Sequence, residues 1–379
     1  MATSEAGANE SKMLAELAAR KGFKPYDRLV GRHGHYPAER VVVRDPGTGA
    51  PIWRLTVDPA LNRHVYYDIP AWNANGSKML FLSCRPGNGI WLMDADGSDL
   101  VALDLPPGTS GNHVHWGAEP KQLLFAESDA TGTNVIALDV VTGERTQLFR
   151  VDVPGLSLCP LLGQQTRMML EKRGDKLEIY TVNPDGSDLR PVPIEGQLHR
   201  LRFTKAADNS IFYNLDNPRT SWVMAEDGSG RLKLRGDETR AGGGHPDWSP
   251  DGSAWSFYAE GKLWLMNRDG TNERALIDLQ AGGHGGFTRD GQYIVSDVSH
   301  KGPFADSLIL VKTDGSGQVH RLCTHGASYQ GWLSGHPDPE ATHPSPNSSP
   351  DGTKVVFNSD SLGNWGSVCV VVVKLPEPP

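Results

Sequence analysis

Short apolar runs of five to seven residues, broken by polar turns, recur along nearly the whole chain. Asp-Gly or a close equivalent marks most of the turns, as in IWLMDADGSD, IYTVNPDGSD, VMAEDGSG, LWLMNRDGTN and LILVKTDGSG. Runs of this length, rich in Val, Ile, Leu, Phe and Trp, read as strands, and Asp-Gly is a strong hairpin signal. The pattern returns seven times at a spacing of roughly 40 residues, the signature of a repeat architecture. Four short strands per repeat, arranged radially, make a β-propeller. The helical period of 3.6 is missing from these segments. The sequence therefore predicts an all-β, seven-bladed propeller over 23–379. A separate extension, 1–22, carries one short helix at 11–22, with Ser11 as its cap and Gly22 as its stop.

A ring of blades has to close. The last repeat, HPSPNSSPDGTKVVFNSD followed by SVCVVVVKL, supplies three strands. Ahead of the first repeat stands Ile52-Trp53-Arg54-Leu55-Thr56, after the turn DPGTG. This segment is expected to complete the last blade and so remove a free sheet edge.

Composition narrows the function. The 379 residues carry 37 Lys and Arg against 45 Asp and Glu, a formal net charge of -8. That balance argues against nucleic acid or an anionic membrane as partner. No apolar run approaches the ~18 residues of a membrane span. The N-terminal sequence has no apolar secretory core, and the four cysteines form no CxxC pair, so free buried thiols in the cytoplasm are expected. No G-x-S-x-G elbow is present. The DADGSD-like segments lack the full twelve-residue calcium loop and read as turns.

The histidines carry the chemistry. Aligning the repeats on their turns places His113, His245 and His284 seven residues before the turn glycine or its equivalent. His199 falls at nearly the same place with a one-residue insertion. His343 lies two residues earlier, on the same strand face, and His64 stands just before the first blade. Six of 13 histidines thus occupy comparable blade entrances. Blade symmetry directs them toward one axial pocket, where neutral imidazoles hold a divalent metal or act as a base. Arg200 and Arg202 share a strand face beside His199, with a bulge at the insertion able to re-aim them. Arg85 follows a strand of the first blade. Arginine forks bind carboxylates, so a pocket of His and Arg suits an acidic oligosaccharide. It suits a retaining glycosidase, which needs two carboxylates, poorly. The irregular segment 324–342 is placed to cover the pocket, with Trp332 among the aromatic side chains that would stack on a sugar.

Several of these segments resemble a known family. DPGTGAPIWRLT, MLFLSCRPGNGIWLMD and HPSPNSSPDGTKVVFNSDSLG are similar to segments of the oligogalacturonate lyases, seven-bladed propellers related to ulvan lyase-like enzymes and, more distantly, to TolB-like propellers. The resemblance implies β-elimination at a uronate: a base removes the C5 proton, and Arg or a metal neutralises the adjacent carboxylate. It also implies a manganese ion held by His and Gln. His245, His284 and His343 match the family's pocket histidines and are the expected metal ligands. The family's Q-x-x-H-x-H-P pattern reads Asp338, Ala341 and His343 here, with Asp338, His336 or Glu340 as possible replacements. His199 is the expected base, with His113 its rival, and Arg200 and Arg202 beside it. Arg85, His64, Tyr213 and Trp332 are the expected substrate contacts. Two alternatives stay open on the residues alone: a His-dependent glycoside hydrolase, and a non-catalytic TolB-like interaction propeller.

Overall fold

The structure is a computed structural model. It describes residues 36–373 apart from 59, 86–88, 107–108, 175, 238–241, 332–337 and 362–365. The helix expected at 11–22 and the side chains of Trp332 and His336 lie outside the described residues.

Seven antiparallel sheets follow one another around a ring. Six have four strands each in simple meander order. In blade five, for example, Gly244–Trp248, Ala254–Ala259, Lys262–Asn267 and Arg274–Asp278 pair in succession. The seventh blade joins both ends of the chain. Asn347–Ser348, Lys354–Ser359 and Ser367–Val372 come from the C-terminal side. Pro51–Arg54 adds to them through Ile52 opposite Val371 and Trp53 opposite Val370, and Val41–Arg44 forms a fifth, outer strand. The expected closure is therefore present, with one more strand than the repeat pattern indicated. Ile52 is buried there with Val355, Phe357 and Val371.

The turns repeat one device. An aspartate carboxylate, such as Asp96, Asp185, Asp251 or Asp351, accepts a backbone N–H two residues on. The intervening glycine takes a left-handed φ, +69° at Gly252, which a side chain would strain. These segments serve as turns, as expected. Alternation along the middle strands sends large apolar side chains into the spaces between blades, where Trp91, Trp255, Phe125 and Phe357 are fully buried.

The first blade begins earlier than the repeat alignment indicated. Its inner strand is Asn62–His64, while Trp72 contributes only an isolated bridge to Met79. The connection between them carries Tyr66, Tyr67 and Asp68 across the centre of the ring. Tyr67 touches four other blades. Its hydroxyl accepts from Arg200 Nη1 (2.8 Å) and donates to the Pro246 carbonyl (3.2 Å). Its ring lies 5.7 Å from that of His284, and its carbonyl accepts from Asn347 Nδ2. This connection fills the axis and floors the site above it.

Candidate active site

Three of the aligned histidines converge. They come from adjacent blades: His245 from the inner strand of blade five, and His284 and His343 from the segments leading into blades six and seven. The rings of His245 and His284 are 4.1 Å apart, centre to centre, and those of His284 and His343 are 5.3 Å apart. All three line one cavity of about 360 Å³ with Tyr66, His199, Arg200, Asn214, Arg219 and Glu340. Burial, reinforced by the neighbouring His284, lowers His245 to about 3 and His343 to about 4, so both imidazoles are neutral at physiological pH.

Each histidine is held differently. His245 adopts a left-handed φ of +45°, unusual for a residue with a side chain, and its Nδ1–H donates to the Gly283 carbonyl at 2.7 Å. That bond fixes the tautomer and leaves Nε2 with its lone pair. His284 Nδ1 stands 3.2 Å from Asp297 Oδ2, and its backbone N–H donates to Asp297 Oδ1. Burial raises the Asp297 carboxyl, but His284 outweighs it and keeps the group ionised. An ionised carboxylate behind an imidazole is the usual support of a metal-binding histidine. His343 packs on Tyr329 (5.1 Å between rings), and its Nδ1 lies 3.9 Å from Glu340 Oε2. Both of those atoms are buried and have no hydrogen-bond partner among the described residues. Two facing, unsatisfied acceptor-type atoms suit a cation between them. Burial also raises the Glu340 carboxyl, which would relax on binding a positive charge. Among the described residues, no group of three or more His, Cys, Asp or Glu side chains is placed closely enough to hold a metal ion without moving.

Arg200 and Arg202 behave as strand alternation requires. The register slips at His199, so a bulge sits where the sequence carries its extra residue, and both guanidiniums reach Asp68. Arg200 stacks over Tyr66 and Tyr67, lines the histidine cavity, and is kept charged by Asp68 against its burial.

His199 is more exposed than the repeat alignment suggested, 43% at the side chain. It lies at the lip, with Nδ1 3.0 Å from Asp216 Oδ2 and Arg219 Nη2 3.3 Å from Nε2. His113 lies elsewhere. With its Nε2 3.2 Å from Glu171 Oε1, it lines a second cavity of about 640 Å³ that shares Tyr66, His199, Arg200 and Glu340 with the first.

Three expected substrate contacts do not reach either cavity. His64 is completely buried: its backbone N–H donates to Asn358 Oδ1 and its Nε2 bonds the Pro344 carbonyl, so it ties blade one to blade seven. Arg85 is buried against Trp91, and its Nη2 donates to both carboxylate oxygens of Glu39. Tyr213 stacks on Trp222 in the core between blades three and four. The period of two sends its neighbour Asn214, not Tyr213, into the cavity. Ala341 is also core, packed with Ala60, Leu61 and Cys84, so its position supplies no ligand. Asp338 caps the 3-10 turn Pro339–Thr342 and pairs with Arg63, and that turn presents Glu340 to both cavities. The sequence reading missed Tyr66, Tyr67, Asp68 and Asp297. The only trace of the first three is a polar, aromatic YYD cluster between the first two strands.

No protein-family model matches the chain. An oligogalacturonide lyase of Pectobacterium atrosepticum is 24% identical over 88% of this chain and 95% of its own length. An oligogalacturonate lyase of Dickeya dadantii is 23% identical over the same shares. The chain is similar to oligogalacturonate lyases. Solved oligogalacturonate lyases share the fold: one in complex with manganese superposes with a TM-score of 0.74 at 20% identity, covering 92% of this chain and 99% of its own. The Vibrio parahaemolyticus lyase gives 0.73 at 19% identity.

Proposed function

We propose that this protein is a lyase that cleaves 4-linked uronate oligosaccharides by β-elimination. The observation that carries the reading is the convergence of His245, His284 and His343 with Glu340 and Arg200 in one cavity. A divalent ion of the manganese type fits this donor set, with His284, His343 and Glu340 as the residues that would hold it. Once bound, the ion would draw charge from the substrate carboxylate and so acidify C5–H.

The protein's own groups supply the rest. Arg200 pairs with the carboxylate and stabilises the charge that develops as the proton leaves. His245, neutral and with Nε2 free, accepts the C5 proton. The C5 electron pair forms the C4–C5 double bond, the C4–O4 bond breaks, and the departing oxygen takes up a proton. Water is not consumed, which separates this chemistry from hydrolysis. Asp216 orients His199 as a second candidate base at the lip, as an orienting carboxylate does for a catalytic histidine. Four buried, unpaired cysteines support a reducing compartment, and we place the protein in the cytoplasm. Among the described residues no helix is long and apolar enough to cross a membrane.

Incubation with uronate oligosaccharides, with and without Mn²⁺, tests the proposal through the ultraviolet absorbance of the unsaturated product. Reducing sugar without new absorbance would favour the hydrolase reading. Neither signal would favour a non-catalytic propeller.

A further inference from the structure

The elimination needs a proton at the departing oxygen as well as a base at C5. The histidine cavity and the second cavity share four residues: Tyr66, His199, Arg200 and Glu340. With the uronate ring among the histidines and the leaving sugar in the second cavity, the C4–O4 bond crosses that junction. The side chains placed to protonate O4 are therefore these four.

Three of them have no proton to give. A guanidinium keeps its protons in a protein, and Asp68 keeps Arg200 charged against its burial. Arg219 Nη2 lies 3.3 Å from His199 Nε2. An arginine only donates, so Nε2 accepts there and the His199 proton sits on Nδ1, directed at Asp216 Oδ2. Glu340 Oε2 faces His343 Nδ1, and a carboxylate that ligates an ion carries no proton.

Tyr66 differs. It is half-buried, and its ring is held on three sides. The Tyr67 ring is 4.7 Å away, the His284 ring stands edge-on at 5.6 Å, and the Arg200 guanidinium lies 5.7 Å from its centre. The Tyr67 hydroxyl is used twice, with Arg200 and the Pro246 carbonyl, whereas the Tyr66 hydroxyl makes no hydrogen bond among the described residues. A phenol holds its proton at neutral pH. With no protein group taking that proton, Tyr66 is the junction residue able to donate.

We infer that Tyr66 is the general acid of the elimination. As His245 takes the C5 proton and the C4–C5 double bond forms, the C4–O4 electron pair leaves with the oxygen, and O4 takes the phenolic proton. The Arg200 charge over the ring steadies the phenolate left behind. Exchange with water then restores the Tyr66 phenol and the neutral His245. This rests on the lyase reading above and adds the donor for the departing oxygen.

The test compares wild type, Tyr66→Phe and His199→Ala, with Mn²⁺ present, on a uronate disaccharide and on the same uronate carrying a 4-nitrophenyl group on O4. A sugar alkoxide needs a proton to leave, and 4-nitrophenolate does not. Y66F is expected to lower kcat on the disaccharide by about 10²–10⁴-fold and on the aryl compound by less than about tenfold, with KM within a few-fold. Equal loss on both substrates would make Tyr66 a positioning residue, and undiminished activity on the disaccharide would leave it no role. Either result overturns the inference and leaves the lyase reading intact. H199A is expected to lose equally on both substrates. A loss confined to the disaccharide would assign the donor to His199 and overturn the inference even if Y66F failed to fold. Wild-type protein that yields no unsaturated product from either substrate overturns the lyase reading itself.

Discussion

At the residue scale, one imidazole differs from its neighbours in how it is wired. Gly283 takes the Nδ1 proton of His245, and Asp297 backs His284. The two should therefore fail differently. His245→Gln removes the base and is expected to lower kcat by about 10²–10⁴-fold while leaving Mn²⁺ affinity within a few-fold, measured by single-turnover kinetics and calorimetry. Loss of Mn²⁺ binding with the turnover retained would instead make His245 a ligand. His199→Ala, at the exposed lip, is expected to cost far less than His245→Gln, and the reverse order would move the base to His199. Asp297→Asn touches no substrate, yet it is expected to weaken Mn²⁺ binding about 10–100-fold, the usual effect of removing a carboxylate behind a metal-ligating histidine. Titration of the variant with Mn²⁺, followed calorimetrically, checks it.

At the element scale, the strand Pro51–Arg54 holds the ring shut, because its partners Val370 and Val371 lie more than 300 residues along the chain. Ile52→Ala is expected to cost about 2–5 kcal/mol, as for other large-to-small changes in a packed core. Deletion of 40–58 would expose the Ser367–Val372 edge and is expected to abolish cooperative unfolding altogether. Denaturant melts of the two proteins check this, and a sharp transition in the deletion protein would show that the blade closes without its N-terminal strands. The same scale explains what the repeat pattern concealed. The pattern counts turns, and turns are local, so seven blades were legible. The first inner strand, Asn62–His64, is only three residues long and precedes a long connection, so its place in blade one rests on pairing with Lys78–Ser83. The expectation that His64 stood outside the blade failed for that reason.

At the scale of the whole molecule, burial of neutral histidines makes the fold pH-dependent. His64 and His343 are lowered to about 4, and His115 and His245 to about 3, in each case first by burial. The unfolded chain takes up these protons near pH 6.5, before the folded chain does, so it binds more protons between about 6.5 and 3. Stability is therefore complete above pH 6.5 and falls as the pH drops through that window. Melting temperatures of the metal-free protein at pH 7.5, 6 and 4.5 should decline in that order. A flat profile would mean that these histidines are not buried neutral.

What the sequence determined by itself was local and periodic: strands from alternating apolar runs, turns from Asp-Gly, seven blades from their count, and a bulge at His199 from one extra residue. It also placed six histidines at equivalent entrances, and there its authority ended. Equivalence in a ring means equal distance from the axis, not contact. Only the entrances of adjacent blades five, six and seven bring His245, His284 and His343 together, whereas His113 in blade two faces a different cavity and His64 is sealed between blades. Tertiary structure also turned Tyr213 into the core, spent Arg85 on Glu39, brought Asp68 and Glu340 to the site from segments with no repeat signature, and set Asp297, the last residue of a repeat strand, behind His284. The contact between Asp68 and Arg200 joins residues 132 positions apart, so it exists only once the blades have come together.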